Sequence, residues 1–210
     1  MQWILLGCGG HGRVLLATLQ ALGWMDRLVG LLDPEPHALD QHHWPAPLLG
    51  DDAYLSTARA QEIQLLNGLG SVANTTRRRA VYQSYRARGY SFVTVCHPTA
   101  WIADSATLAA GVQVMAGAMI QIGAQLGENV LINTRAVVEH DCLIHDHVHI
   151  ASGAVLCGDV QVGEGSHIGA GATVIQGVKI GANVCVGAGA VVNRDIPFGV
   201  KVVGVPAREY

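Results

Sequence analysis

A chain of 210 residues, half of them hydrophobic but only 14% charged and 5% aromatic, can bury a real core, and its 26 glycines favour a tightly repetitive β-rich body over a helical bundle. A formal net charge of −3 gives no general attraction to nucleic acid or an anionic membrane, and Arg77, Arg78 and Arg79 form the one basic cluster. No secretory leader pattern precedes Gln2–Leu6, no apolar run is long enough to cross a bilayer, and five cysteines without C-x-x-C spacing argue against disulfides or structural zinc, so a reducing cytoplasm is expected.

In chain order, residues 2–6 read as a short buried strand that runs into the glycine turn Gly7-Cys8-Gly9-Gly10-His11-Gly12. Val14, Leu15, Ala17, Leu19 and Leu22 then recur at near-helical spacing up to Gly23. Residues 28–32 predict a second strand ending at Asp33-Pro34, and 35–47 a loop. Beyond it come a strand at 63–66, a helix over 75–88 closed by Gly89, and a strand at 91–95. Alternating segments of this length imply a small parallel sheet with flanking helices, a Rossmann-like α/β domain over residues 1–97.

From Trp101 the texture changes. Every sixth position from Ile102 to Val192 is aliphatic, without a break. Four residues after each, from Ala106 to Ala190, stands Ala, Val, Ser or Cys. Neither 3.6 nor 2 is the period, so this is an internal repeat rather than one long element. A strand plus tight turn cannot bury its side chain alone, whereas stacked units build a continuous aliphatic core. The repeat resembles the hexapeptide motif of left-handed parallel β-helices, in which three hexads form one triangular coil, giving about five coils within a second domain over 98–210.

The Gly7–Gly12 turn, the His97-Pro98-Thr99-Ala100 junction and the block from Ile132 to Asp141 together resemble the bacterial sugar O/N-acyltransferases related to sialic acid O-acetyltransferase. That family includes N-acetyltransferases of UDP-, GDP- or dTDP-linked 4-amino-6-deoxy sugars. The resemblance implies acetyl-CoA as co-substrate without a metal, a homotrimer with acetyl-CoA held between neighbouring β-helices, and a sugar nucleotide held by the N-terminal domain. It favours N- over O-transfer, with sugar O-acetylation as the alternative.

Acyl transfer needs a base for the attacking group's proton, and imidazole is suited to that near neutral pH. His140, flanked by Glu139 and Asp141, fits this chemistry; the residues alone leave a solvated turn histidine equally open. The family match assigns His140 as base and Asp141 as its partner. It places Asn133, His149, Gly158, Ala170 and Ala188 at acetyl-CoA, the small residues leaving room for a thin acyl-pantetheine chain. His149 and His167, eighteen residues apart, are expected to stack with no function for His167. In the N-terminal turn the match assigns Gly7, Gly9, Gly10, His11, Gly12 and Asp33 to the sugar nucleotide, although Pro34 replaces a second acidic residue of the family. Glycines there let backbone approach a phosphate at a helix N-terminus. Cys142 occupies an inward hexad position, so it reads as a buried structural thiol and transfer as direct.

Two other functions compete. His140, His145, His147 and His149 are dense enough to suggest a gamma-type carbonic anhydrase with zinc between subunits, though an N-terminal α/β domain has no purpose there. A non-enzymatic trimeric scaffold or sugar-nucleotide binder is opposed by the His-Asp pair.

Overall fold

The computed structural model describes residues 1–35, 44–56 and 60–210. Part of the expected 35–47 loop lies outside them. The chain divides into two compact units, Met1–Gly70 with Ala80–Val93, and Ser71–Arg79 with Thr94–Tyr210.

In the first unit, strands β1 (Gln2–Leu6), β2 (Leu28–Leu32), β3 (Leu48–Gly50), β4 (Ile63–Asn67) and β5 (Ser91–Phe92) form one parallel sheet in the order β3-β2-β1-β4-β5. Short aliphatic runs buried on both faces give such strands, and Ile4, Leu31 and Leu65 are wholly buried. The order reverses beside β1, because the chain goes from β1 to β2 on one side and returns to β4 on the other. Helix α1 (Gly10–Ala21) begins where β1 ends, and α2 (Thr76–Ala87) precedes β5. The strand expected at 91–95 is two strands in different sheets, Ser91–Phe92 and Val95–Cys96. Strand β3 carries no alternating pattern, which hid it from the sequence reading.

The second unit is the expected parallel β-helix. Two-residue strands stack with an eighteen-residue register, as in Met119↔Val137, so three hexads complete one coil. Face one runs from Val95–Cys96 through Leu131–Ile132, His149–Ile150, His167–Ile168 and Cys185–Val186 to Lys201–Val203. It begins one hexad before the aliphatic period is legible. Face two runs from Trp101–Ile102 to Val191–Val192, and face three from Thr107–Leu108 to Lys179–Ile180. The second residue of each strand points inward, and Val114, Ile132, Ile150, Ile168 and Val186 are fully buried. The small residues four positions later, such as Ala118, Ala136 and Ala154, fill the corners. Each buried aliphatic side chain contributes roughly 1.5–3 kcal/mol, and stacking makes the contribution continuous.

Four residues turn each corner, and from Gly111 to Gly189 the third has positive φ. Gly, Asn or Asp hold most of these places, because other L-residues resist that conformation by about 1–2 kcal/mol. Arg135 and His147 are exceptions, at φ 55° and 61°. The first corner joins faces one and two, the second joins two and three, and the third joins three and one. Against the third corner pack Thr75, whose hydroxyl donates to the Gly165 carbonyl (2.9 Å), and Arg79, 3.4 Å from Glu164.

Candidate active site

His140 and Asp141 occupy the second corner between Val137–Val138 and Leu143–Ile144. Asp141 is the positive-φ residue (59°), and its Oδ2 accepts from His140 Nδ1 at 2.9 Å. Asp141, not Glu139, is therefore the orienting carboxylate. With the proton on Nδ1, Nε2 keeps its lone pair. The imidazole lies over Gly158 of the next coil, where an added Cβ would collide with Nε2 and Cε1. Gly158 thus makes room for the His140 ring, and it is not among the residues that line the cleft described next. The side chains of His140 and Asp141 are 46% and 66% exposed. A pair this open to water is weakly coupled.

A cleft of about 430 Å³ follows face one and the first corner. Four of the five residues expected at acetyl-CoA line it: Asn133, His149, Ala170 and Ala188. Ser71, Val72 and Ala73 close one side. The Asn133 amide oxygen accepts from the Thr134 N–H (2.8 Å), which turns its NH₂ towards His149 Nε2 (3.2 Å). Nε2 must then accept, leaving Nδ1–H to donate to Ser71 Oγ at 2.6 Å. Ser71 had no sequence signal, since it lies far from the repeat and reaches His149 only through the fold. The rings of His149 and His167 do stack, edge to face, with centroids 4.8 Å apart.

In the first unit, the crevice where strand order reverses lies at the carboxyl ends of β1 and β4, the usual ligand position in such sheets. The glycines of the turn have different duties. A Cβ on Gly12 would collide with the Gly7 carbonyl oxygen, and one on Gly68 would lie 2.6 Å from it, so these two allow close backbone packing. Cβ atoms on Gly9 and Gly10 would meet nothing within 4 Å, leaving that backbone open. Helix α1 starts there without a side-chain cap or an acidic first turn, so its first N–H groups favour an anion. Both Asp33 oxygens accept backbone N–H groups, Oδ2 from Cys8 (2.6 Å) and Oδ1 from Glu35 (2.9 Å). Asp33 therefore ties the end of β2 to the glycine turn. His11 is half-buried, next to Gly70.

The other chemistry resolves simply. Cys142 is buried, its thiol donates to the Cys157 carbonyl (3.2 Å), and burial pushes its pKa up to about 11. The clustered histidines separate, His140 to the second corner, His145 and His147 to the third, and His149 to face one. Among the described residues no three His, Cys, Asp or Glu side chains are grouped to hold a metal ion. No helix among them is long and apolar enough to span a membrane.

Comparison with known proteins agrees with this geometry. The PglD N-terminal domain family matches residues 2–84, and the bacterial transferase hexapeptide family matches 123–158 and 159–194. The acetyltransferase domain of PglB from Neisseria gonorrhoeae, solved with acetyl coenzyme A, is 35% identical over 100% of this chain and 98% of its own, with a TM-score of 0.90. A histidine-substituted perosamine N-acetyltransferase from Caulobacter crescentus, solved with CoA and GDP-perosamine, is 35% identical over 100% of this chain and 97% of its own, TM-score 0.88. WeeI from Acinetobacter baumannii shares the fold at 23% identity, TM-score 0.84.

Proposed function

Because the chain belongs to the left-handed β-helix sugar acyltransferases, we propose that it moves acetyl from acetyl-CoA to the amino group of a nucleotide-linked 4-amino-6-deoxy sugar, with His140 as general base. The observation that carries the reading is the His140–Asp141 pair, with Nε2 left as acceptor on an open corner. Nε2 takes a proton as the amine nitrogen attacks the thioester carbonyl. The C–S bond then breaks, and the CoA thiolate leaves and recovers that proton from the imidazolium. Asp141 fixes the tautomer and stabilises the imidazolium in between. The small wall of Ala151, Gly169, Ala170 and Ala188 fits a thin pantetheine arm. Open backbone at Gly9 and Gly10 with the α1 N-terminus fits a nucleotide diphosphate, as does the GDP-perosamine bound by the Caulobacter relative.

The base and the cleft lie on different corners of one chain, separated by the strand Val137–Val138. We place the reaction between subunits of a homotrimer in the cytoplasm. Face two supports this. Its outward positions are Trp101, Met119, Val137, Val155, Thr173 and Val191, an apolar stripe continued by Ile122 (58% exposed) at the second corner. Such a stripe on a soluble surface marks an interface.

The reading is tested by incubating the protein with acetyl-CoA and UDP-, GDP- or dTDP-linked 4-amino-6-deoxy sugars while following free thiol. Turnover with one nucleotide, yielding an amide product, is expected. Preference for a 4-hydroxy sugar would replace N- with O-transfer, and no turnover with any of them would overturn the assignment.

A further inference from the structure

His167 lies one rung from His149 on face one, where the two residues pair directly. It lines the cleft, yet is only 8% exposed. Its Nδ1 is buried without a hydrogen-bond partner among the described residues, in contrast to His149, which has both Ser71 and Asn133. Burial also pulls its pKa below the ordinary histidine value. The ring is therefore neutral near pH 7, with one N–H to give and one lone pair to offer. Leaving a buried polar atom unpaired costs about 1–3 kcal/mol, a cost that a phenyl ring of the same shape would avoid. Nδ1 is closed to the cleft, so the nitrogen that can meet an occupant is Nε2, and an imidazole at this place offers one polar atom to a group on whatever fills the cleft.

The β-helix supplies a ruler for identifying that group. Rungs on one face are about 4.8 Å apart. His149 lies one rung above Leu131, whose strand leads into Asn133, and the thioester is taken to lie at the level of His149. In an acyl-pantetheine the first amide nitrogen is three bonds from sulfur and its carbonyl carbon one bond further. Three bonds of extended chain cover about 3.5 Å, so the amide falls about one rung along. That rung is His167, and the cleft continues past it to Cys185 and Lys201.

We propose that His167 is a positioning residue that hydrogen-bonds the thioester-proximal amide of the acyl-pantetheine arm and so sets the acetyl carbonyl at the level of His149. This rests on acetyl-CoA occupying the face-one cleft. An amide carries both a donor and an acceptor, so it satisfies a neutral imidazole in either tautomer.

The test compares wild type with His167→Phe on three donors: acetyl-CoA, N,S-diacetylcysteamine, which keeps the amide, and S-propyl thioacetate, which lacks it. The variant should lose about tenfold in kcat/KM on the first two, mainly through KM, the size expected for one hydrogen bond. It should lose nothing on the third, and should melt no lower than wild type. Equal loss on all three donors, or none on any, would overturn the proposal. A second arm titrates CoA calorimetrically into both proteins without a sugar nucleotide, so it does not depend on turnover. About tenfold weaker binding by His167→Phe is the expected result, and equal binding overturns the role of His167. Failure of the wild type to bind CoA removes the acetyl-CoA reading itself, and this proposal with it.

Discussion

The first and second corners of the β-helix share one backbone geometry and do opposite things with it. From Ala151 onward the first corner carries Ala151, Ser152, Gly169, Ala170, Gly187 and Ala188, nothing larger than serine, and the result is a groove. The second corner carries Glu139, His140, Asp141, Asp159 and Asp195, and the result is a projecting imidazole among carboxylates, the base of the proposed reaction. A hexad repeat gives each corner only four residues, too few to fold a side chain round to the next. Chemistry that needs both a groove and a base is thereby divided, and a second copy of the chain is the simplest way to reunite it.

The largest effect breaks that division directly. His140→Ala should lower kcat by at least about 10²-fold while CoA still binds, the usual loss for a general base. Ala170→Trp should fill the groove and abolish activity while leaving His140 in place. Co-expressed as separate chains, the two variants should regain about a quarter of wild-type activity. Random ring assembly leaves that fraction of interfaces with an intact base facing an intact groove. The same two substitutions in one chain should give none. Steady-state rates on purified mixtures decide it, and mixtures no more active than either variant alone would place base and groove in the same subunit.

A smaller effect separates the corners by kinetics. Gly158→Ala puts a methyl group where the His140 imidazole lies. Displacing a base by about an ångström costs on the order of 10²-fold, so kcat should fall by that much. KM for acetyl-CoA should not change if Gly158 serves only to make room for the His140 ring. A raised KM with unchanged kcat would return Gly158 to the pantetheine wall.

How legible this was depended on periodicity. The aliphatic sixth positions and their small partners announced the coils, because burial of Ile150 or Ala154 leaves a mark in one sequence at fixed spacing. The His140-Asp141 pair was also readable, since adjacent residues at a turn meet without help from the fold. Ser71 was not, because its contact with His149 spans 78 residues and follows no period. The split of the 91–95 segment and the approach of the His140 ring to Gly158 were hidden for the same reason. Asp33 was legible as the residue that ends the second strand, whereas its bond to the Cys8 amide, 25 residues away, follows no local pattern. The orphaned nitrogen of His167 is a fact of packing alone.

The smallest effect belongs to the third corner, which carries neither His140 nor the face-one cleft. His147 is buried at positive φ, with Nδ1 accepting from Asn129 Nδ2 at 3.1 Å. Burial lowers its pKa and Arg79 lowers it further, while Asp146, Glu164 and Glu128 raise it, and burial prevails. His167 is shifted the same way by burial. A histidine with a lowered folded pKa binds its proton more readily in the unfolded chain. Stability is therefore full above about pH 6.5 and falls as the pH drops below it, until the folded pKa is reached. Each such group contributes at most about 1.4 kcal/mol per pH unit. His147→Asn removes one of them and suits the backbone, since Asn129 holds the equivalent place one coil before it and Asn183 two coils after it. Urea unfolding of wild type and variant at pH 5, 6, 7 and 8 should show a shallower acid decline in the variant, while kcat at pH 8 stays within about twofold of wild type. Parallel stability profiles would mean that His147 takes up its proton as readily in the folded protein as in the unfolded chain. A large loss of kcat would show that the third corner is coupled to catalysis, and the separation of corners would fail.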